Sequence, residues 1–166
     1  MKEKIEILEA NPEYYQRIAE IYNEYIALGT STMDETLKSA SDIADWVNKF
    51  HDREKLYVLK ENSIVIGWGI IKRYSDREGY RFTCETTVYL TASKLGKGYG
   101  TMMKKYIIAA CKELNYKHLV AKVFANNTSS IIYNEKLGYT IVGTQKEVGY
   151  KNNKWQDIVV MQYIIE

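Results

Sequence analysis

Leu95-Gly96-Lys97-Gly98-Tyr99-Gly100-Thr101 sits where the periodicity of the chain changes, and that change decides the fold. Before it, Arg81 to Leu90 alternates with period two. Phe82, Cys84, Thr86, Val88 and Leu90 fall on one face, and Thr83, Glu85, Thr87 and Tyr89 on the other, as in a long strand. After it, Tyr99, Met102, Met103, Tyr106, Ile107, Ala110, Cys111 and Leu114 step by three and four, the pattern of an amphipathic helix. His118 to Ala125 is strand-like again. A strand, a long helix and a strand make a crossover unit, so the two strands are expected to run parallel with a right-handed connection.

The same stretch holds three of the ten glycines within five residues. Glycine lets the backbone turn tightly and lets a ligand approach the amides. The first turn of the following helix adds unpaired N–H groups and a positive dipole end. Together these suit a phosphate or pyrophosphate, although a plain turn before a helix also wants glycine. The nucleotide P-loop G-x-x-x-x-G-K-[ST] is absent, and the spacing is not that of a dinucleotide fingerprint.

Outward from this centre, Ile5 to Leu8 reads as a first strand, and Asn11-Pro12 as the start of a helix. Tyr15, Ile18, Tyr22, Tyr25 and Ile26 follow at helical spacing, and Gly29 ends the helix. Thr30 to Glu35 is polar loop, and Ser41 to Phe50 a second helix. Leu56–Leu59 and Ile64–Trp68, the second running on to Arg73, make a hairpin, and Ser75 to Gly79 is a turn. Asn127 to Leu137 is a short helix with Asn127 as N-cap and Gly138 just past its end. Tyr139–Val148 and Trp155–Ile165 close the chain as a strand pair joined at Lys151–Lys154. The expectation is one α/β (α+β) domain over residues 1–166. Its early strands join by hairpins, and one parallel crossover lies at its centre.

Composition narrows the chemistry. Among 166 residues, two cysteines and two histidines leave no room for a disulfide framework or a Cys- or His-rich metal centre, so no metal is expected. The net charge of +2 does not argue for nucleic acid. No apolar run approaches the ~20 residues of a membrane helix, and the N-terminus lacks a signal-peptide pattern. A cytoplasmic protein with free thiols is the expectation.

The glycine loop resembles the acetyl-CoA pyrophosphate loop of the GCN5-related N-acetyltransferases (GNAT), Q/R-x-x-G-x-G/A, with Gly98 and Gly100 at the small positions and Leu95 departing at the first. Asn127 to Tyr139 resembles the later motif, an Asn before a short helix ending L-G-F/Y. Within that superfamily, Arg81 to Leu90 is similar to the Y-x-x-T-V-E-x-S-V-Y-V strand of phosphinothricin and methionine sulfoximine N-acetyltransferases. Gly149-Tyr150-Lys151, Lys154-Trp155-Gln156-Asp157 and Met161-Gln162 resemble their tail; Ile21-Tyr22-Asn23 and Ser31 to Glu35 resemble their early segments.

The resemblance implies a GNAT fold, acetyl-CoA as donor, and direct transfer to the amine of a small molecule such as an amino acid or its analogue. It implies Glu85 as general base acting through water, against the plainer role of a strand-face glutamate paired with a lysine or arginine. Val88, Tyr89 and Leu90 are then expected to offer backbone groups to the pantetheine arm and thioester oxygen. Gly96, Lys97, Gly98, Tyr99, Gly100 and Thr101 would hold the pyrophosphate, and Asn127 and Ser130 the pantetheine. Asn134 stands where many members carry an acidic tyrosine. It can hydrogen-bond sulfur but cannot act as the acid, and neighbouring Tyr133 is expected to point elsewhere. For the acceptor pocket the resemblance points to Tyr22, Thr32, Met33, Glu35, Lys72, Arg73 and Lys151, each of which is as readily plain surface. A homodimer is implied by resemblance alone. A catalytically silent acyl-CoA-binding module and a protein or peptide N-acetyltransferase stay open as alternatives.

Overall fold

The structure, a computed structural model, describes residues 2–166. Seven strands among them form one mixed sheet. In chain order they are β1 (Ile5–Glu9), β2 (Lys55–Glu61), β3 (Ile64–Arg73), β4 (Thr83–Leu90), β5 (His118–Phe124), β6 (Thr140–Lys151) and β7 (Lys154–Ile164). The order across the sheet is β1-β2-β3-β4-β5-β7-β6. Neighbours are antiparallel except β4 and β5, which are parallel, as the change of periodicity predicts. Four α-helices flank the sheet: α1 (Tyr15–Leu28), α2 (Ala40–Asn48), α3 (Tyr99–Glu113) and α4 (Thr128–Lys136). The architecture is that of the GNAT fold.

Local chemistry explains where the elements begin and end. The Asn11 side chain accepts from the Glu13 N–H at 3.0 Å, which opens a 3-10 turn leading into α1, and Gly29 closes α1 in the left-handed region at φ 77°. Helix α2 starts earlier than its apolar pattern suggests. Ser39 and Asp42 form a capping box, each side chain bonding the other's backbone N–H. Strands β6 and β7 run further than the alternation predicts because Asn152 and Asn153 both take positive φ, 54° and 59°. Asparagine tolerates that conformation, so the hairpin closes in two residues and Lys151 still pairs with Lys154.

Two apolar cores sit on opposite faces of the sheet. Ile18, Ile21 and Ile43 from α1 and α2 pack on Val58, Trp68 and Tyr89. Met103, Ile107 and Cys111 from α3 pack on Ile71, Cys84, Leu119 and Met161, with Ile131 and Leu137 of the α4 segment at the margin. Gly69 of β3 permits the second packing. A Cβ there would collide with Ile107 Cδ1, so its absence lets α3 lie close to the sheet.

The parallel pair is short. Its ladder covers only Thr83 opposite His118, Cys84 opposite Leu119 and Glu85 opposite Val120. Beyond Glu85, β4 stays with β3 as far as Leu90 opposite Gly67. Beyond Val120, β5 stays with β7 as far as Phe124 opposite Ile158. The sheet therefore forks into two halves.

Candidate active site

The fork opens into a cavity of about 1040 Å³. It is bounded by Glu85 to Leu90 of β4, Ala121 to Phe124 of β5, the glycine loop, the first turns of α3, and α4. The loop after α1 supplies the remaining wall through Thr30 to Met33.

Backbone parity fixes what β4 presents. The Tyr74 N–H donates to Thr83 O at 3.2 Å and the Thr91 N–H to Ile66 O at 2.8 Å, so the odd-numbered residues of β4 bond toward β3. In a regular ladder the even-numbered residues then face the other edge. Phe82 O agrees, since it accepts from His118 N at 3.1 Å across that edge. The N–H and C=O of Val88 therefore point into the fork, where β5 has already diverged. Leu90 O also faces this way and accepts from the Tyr25 hydroxyl.

The glycine loop presents a second set of donors. Gly96 and Gly98 take φ of 74° and 86°, and Gly98 stands at the N-cap of α3 with no side chain to bond the first amides. An added Cβ would meet nothing within 4 Å at either residue, so the glycines serve the backbone conformation and leave the approach open. The N–H groups of Tyr99, Gly100 and Thr101 are those that a helix leaves without an internal acceptor. With the helix dipole they suit an anion where the loop meets the cavity.

Glu85 lies at the apex of the fork on the α1–α2 face, 34% exposed, with Lys122 Nζ of β5 at 3.4 Å from its carboxylate. Both side chains line the cavity. On the same face Tyr22 donates to Asp34 and pairs with Thr32 Oγ1 at 2.7 Å, while Tyr89 donates to Ser31 O at 3.0 Å. Burial, above all, raises the pKa of both phenols, so they stay neutral. On α4, Asn127 Oδ1 accepts from the Ser130 N–H at 3.3 Å, as an N-cap does, and Asn134 Nδ2 donates to Ser130 O at 2.9 Å. Asn134 Oδ1 and the Tyr133 hydroxyl are buried without a hydrogen-bond partner, and both residues line the cavity. Unpartnered polar atoms on a cavity wall fit a ligand that bonds them.

Most residues expected at the site thus lie together around one cavity: Glu85, Val88, Tyr89, Leu90, Gly96, Gly98, Gly100 and Thr101 on one part, Asn127, Ser130 and Asn134 on another, Tyr22, Thr32 and Met33 on a third. Six others lie off it. Tyr99 turns inward and donates to Glu61 at 2.6 Å, so only its backbone belongs to the loop. Lys97 is exposed on the loop, outside the cavity lining. Arg73 pairs with Glu54 and Asp76, and Lys72 and Glu35 face solvent. Lys151 is 1% exposed and donates to Thr32 O and Asp34 O, each at 2.6 Å. It fastens the Thr30–Asp34 loop from behind, and burial lowers its pKa.

Three groups are additions to the sequence reading. Lys122 is one, visible only once β5 is laid beside β4. Tyr133, expected to point elsewhere, turns its hydroxyl to the cavity wall, and burial raises its pKa to about 12. The third is Lys104, 4% exposed on α3. The sequence carries a signal for it: Lys104, Ile107 and Cys111 are spaced by three and four, which puts a lysine on the buried stripe.

Comparison with known proteins adds four findings. The profile of the acetyltransferase (GNAT) domain matches residues 9–160. A phosphinothricin N-acetyltransferase of Alcaligenes faecalis is 29% identical over 147 residues, 87% of this chain and 75% of that protein. An L-methionine sulfoximine/L-methionine sulfone acetyltransferase of Salmonella typhimurium is 28% identical over 87% of this chain and 85% of that one. Among solved structures, a phosphinothricin acetyltransferase of Sinorhizobium meliloti in complex with acetyl-CoA superposes with a TM-score of 0.90. It is 27% identical, over 97% of this chain and 88% of that one.

Proposed function

Because the chain belongs to the GNAT acetyltransferase family, we propose that it moves the acetyl group of acetyl-CoA directly onto the amine of a small amino acid or amino-acid analogue, of the phosphinothricin or methionine sulfoximine type, at the fork between β4 and β5. The chain is an acetyl-CoA-dependent N-acetyltransferase. The observation that carries the proposed site is the fork itself, with a carboxylate at its apex and an unpaired Val88 peptide on its edge.

Acetyl-CoA supplies a thioester carbonyl already activated toward amines. The groups in this cavity match its parts. The amides of Tyr99, Gly100 and Thr101 suit the pyrophosphate, the Val88 peptide suits the amide-bearing pantetheine arm, and Asn134 Oδ1 suits its thiol end. The Val88 N–H also faces the fork, where it can donate to the acyl oxygen and favour the charge that gathers there during transfer.

The acceptor enters on the opposite face, past Tyr22, Tyr89 and the Thr30–Asp34 loop. An amine attacks only as the neutral base, so an ammonium must first lose a proton. Glu85 takes it, directly or through one water, with the Lys122 ammonium 3.4 Å from its carboxylate. Two cysteine sulfurs 3.7 Å apart and unbonded support a reducing, cytoplasmic setting. The solvent-facing Ile141, Val142 and Val148 of β6 support a homodimer. Small-molecule acceptors, rather than nucleic acid or a membrane surface, fit a net charge of only +2.

The test is thiol release from acetyl-CoA with a panel of amino acids and analogues, run on wild type and Glu85→Gln. Amine-dependent turnover is expected in the wild type. In the variant kcat is expected to fall by about 10² to 10⁴ while CoA affinity holds. Tight CoA binding with no turnover on any amine contradicts the reading.

A further inference from the structure

Lys104 carries an amine into this cavity with no carboxylate to neutralise it. It lies one helical turn beyond Gly100 on α3, and among the described residues it makes no ion pair and no hydrogen bond. Its Nζ sits 5.0 Å from the centre of the Tyr139 ring, and the Tyr139 hydroxyl meets Thr86 Oγ1 at 3.2 Å. Thr86 is the first β4 residue past the end of the parallel ladder, so Lys104 sits beneath the fork. A neighbouring contact locates it further. A Cβ at Gly100 would lie 3.4 Å from the Tyr133 hydroxyl, and the Tyr139 N–H donates to Asn134 O at 3.0 Å. Along α3, then, Gly100 faces Tyr133 and Lys104 faces Tyr139, with Asn134 between those two on the opposing segment. Asn134 Oδ1, an acceptor without a donor, and Lys104, which makes no ion pair among the described residues, line the same cavity.

A thiol is the group of the proposed reaction that needs such a pair, and this inference rests on that reading. We propose that Lys104 is the proton donor to the departing CoA sulfur. As the amine nitrogen bonds to the acetyl carbon, the carbon–sulfur bond breaks and its electron pair goes to sulfur. Lys104 gives sulfur one ammonium proton, is left neutral, and regains a proton from solvent. The acceptor gives up two protons, one as its ammonium becomes the free amine and one from the nitrogen after it has bonded to carbon, and each leaves in turn through Glu85 to solvent. Asn134 Oδ1 accepts the new S–H.

The surroundings suit this role. The titratable groups facing Lys104 are Cys111 on its own helix, Cys84 of β4, Tyr139 before β6 and Tyr133 of α4; Glu85 and Lys122 share the cavity. The phenols are held neutral by burial, so no carboxylate neutralises the amine at close range. Desolvation brings its pKa down to about 8, close to the ~8.5 of an alkyl thiol, so the transfer is nearly balanced.

The experiment compares wild type, Lys104→Met and Lys104→Arg in two readouts. One is the affinity for CoA against desulfo-CoA, which lacks only the thiol, at pH 8 by calorimetry. The other is the pH profile of kcat with acetyl-CoA. The wild type is expected to prefer CoA over desulfo-CoA by about tenfold and Lys104→Met to lose that preference while still binding desulfo-CoA, a charge-assisted hydrogen bond being of that order. Wild-type kcat is expected to fall above about pH 8, as the proton donor ionises. In Lys104→Met kcat is lower by about tenfold or more and the alkaline limb is gone. Lys104→Arg, which keeps the cation but gives up no proton, is expected to retain the CoA preference without the limb. An unchanged CoA preference in Lys104→Met, or a kcat within twofold of wild type, overturns the assignment. If the wild type turns over no amine, the functional reading fails instead, and the CoA against desulfo-CoA comparison still decides the place of Lys104.

Discussion

At the scale of single residues, two lysines with nearly the same burial play opposite parts. Lys151 is enclosed but donates to two carbonyls, so its charge is matched by dipoles and it fastens a loop. Lys104 is enclosed beside an aromatic ring and has no such acceptors. A buried ammonium without a partner destabilises the fold that holds it. The sign follows from the pKa, which is depressed from 10.5 to about 8 in the folded chain. Between those values the unfolded chain binds more protons, so this residue's penalty is full below pH 8 and disappears as pH rises toward 10.5. Replacing Lys104 by Met removes the penalty. The variant is expected to be more stable than wild type at pH 7 by up to about 3 kcal/mol, and the gap to close between pH 8 and 10.5. Denaturant unfolding of both proteins across that range checks it, and equal stabilities at pH 7 contradict it. A residue that weakens the fold and faces the reaction cavity is what a functional lysine looks like in energetic terms.

The elements divide by how local their causes are. Helix α3, strand β4 and the glycine loop were legible because their signals are short-range: a period of two, a period of 3.6, and glycines at the junction. Gly98 illustrates how far that legibility reaches. The sequence points to it as a place for a special backbone. The structure adds that its φ is 86° and that a methyl group there would touch nothing. Gly98→Ala therefore isolates backbone conformation from crowding. Alanine pays about 1–2 kcal/mol to hold the left-handed region, so the loop is expected to relax and to recover its shape only on binding. CoA affinity should weaken about five- to thirtyfold with little change in melting temperature, measured by calorimetry and thermal unfolding. What the sequence did not disclose depends on distant pairings. Lys151 reads as an exposed hairpin-turn cation until the Thr30–Asp34 loop, more than a hundred residues earlier, is seen lying over it. Arg73 reads as a candidate for the acceptor pocket until Glu54 closes on it. Tyr133 reads as pointing elsewhere because one residue along a helix turns by about 100°, yet the cavity wraps far enough around α4 to take both Tyr133 and Asn134.

For the whole molecule, the decisive feature is that one sheet serves as two. The β3–β4 and β5–β7 ladders are each continuous, and the parallel ladder between them holds for only three residue pairs. Sequence periodicity predicts the parallel pair but not where it lets go, because twist and the competing claims of β3 and β7 set that point. The fork has the open N-terminus of α3 and two unpartnered polar atoms on the α3–α4 side, and Glu85 with Lys122 on the other. A donor and an acceptor molecule can then approach one gap from opposite faces of the sheet.

A crystal structure of the chain with CoA and an amino-acid acceptor tests that arrangement most directly. The account predicts the pyrophosphate on the Gly98–Thr101 amides and the sulfur in the fork between Val88, Asn134 and Lys104. It predicts the acceptor amine on the α1–α2 face, within hydrogen-bond reach of Glu85 or one water away. A sulfur lodged outside the fork, or an acceptor amine on the α3–α4 face remote from Glu85, would contradict it.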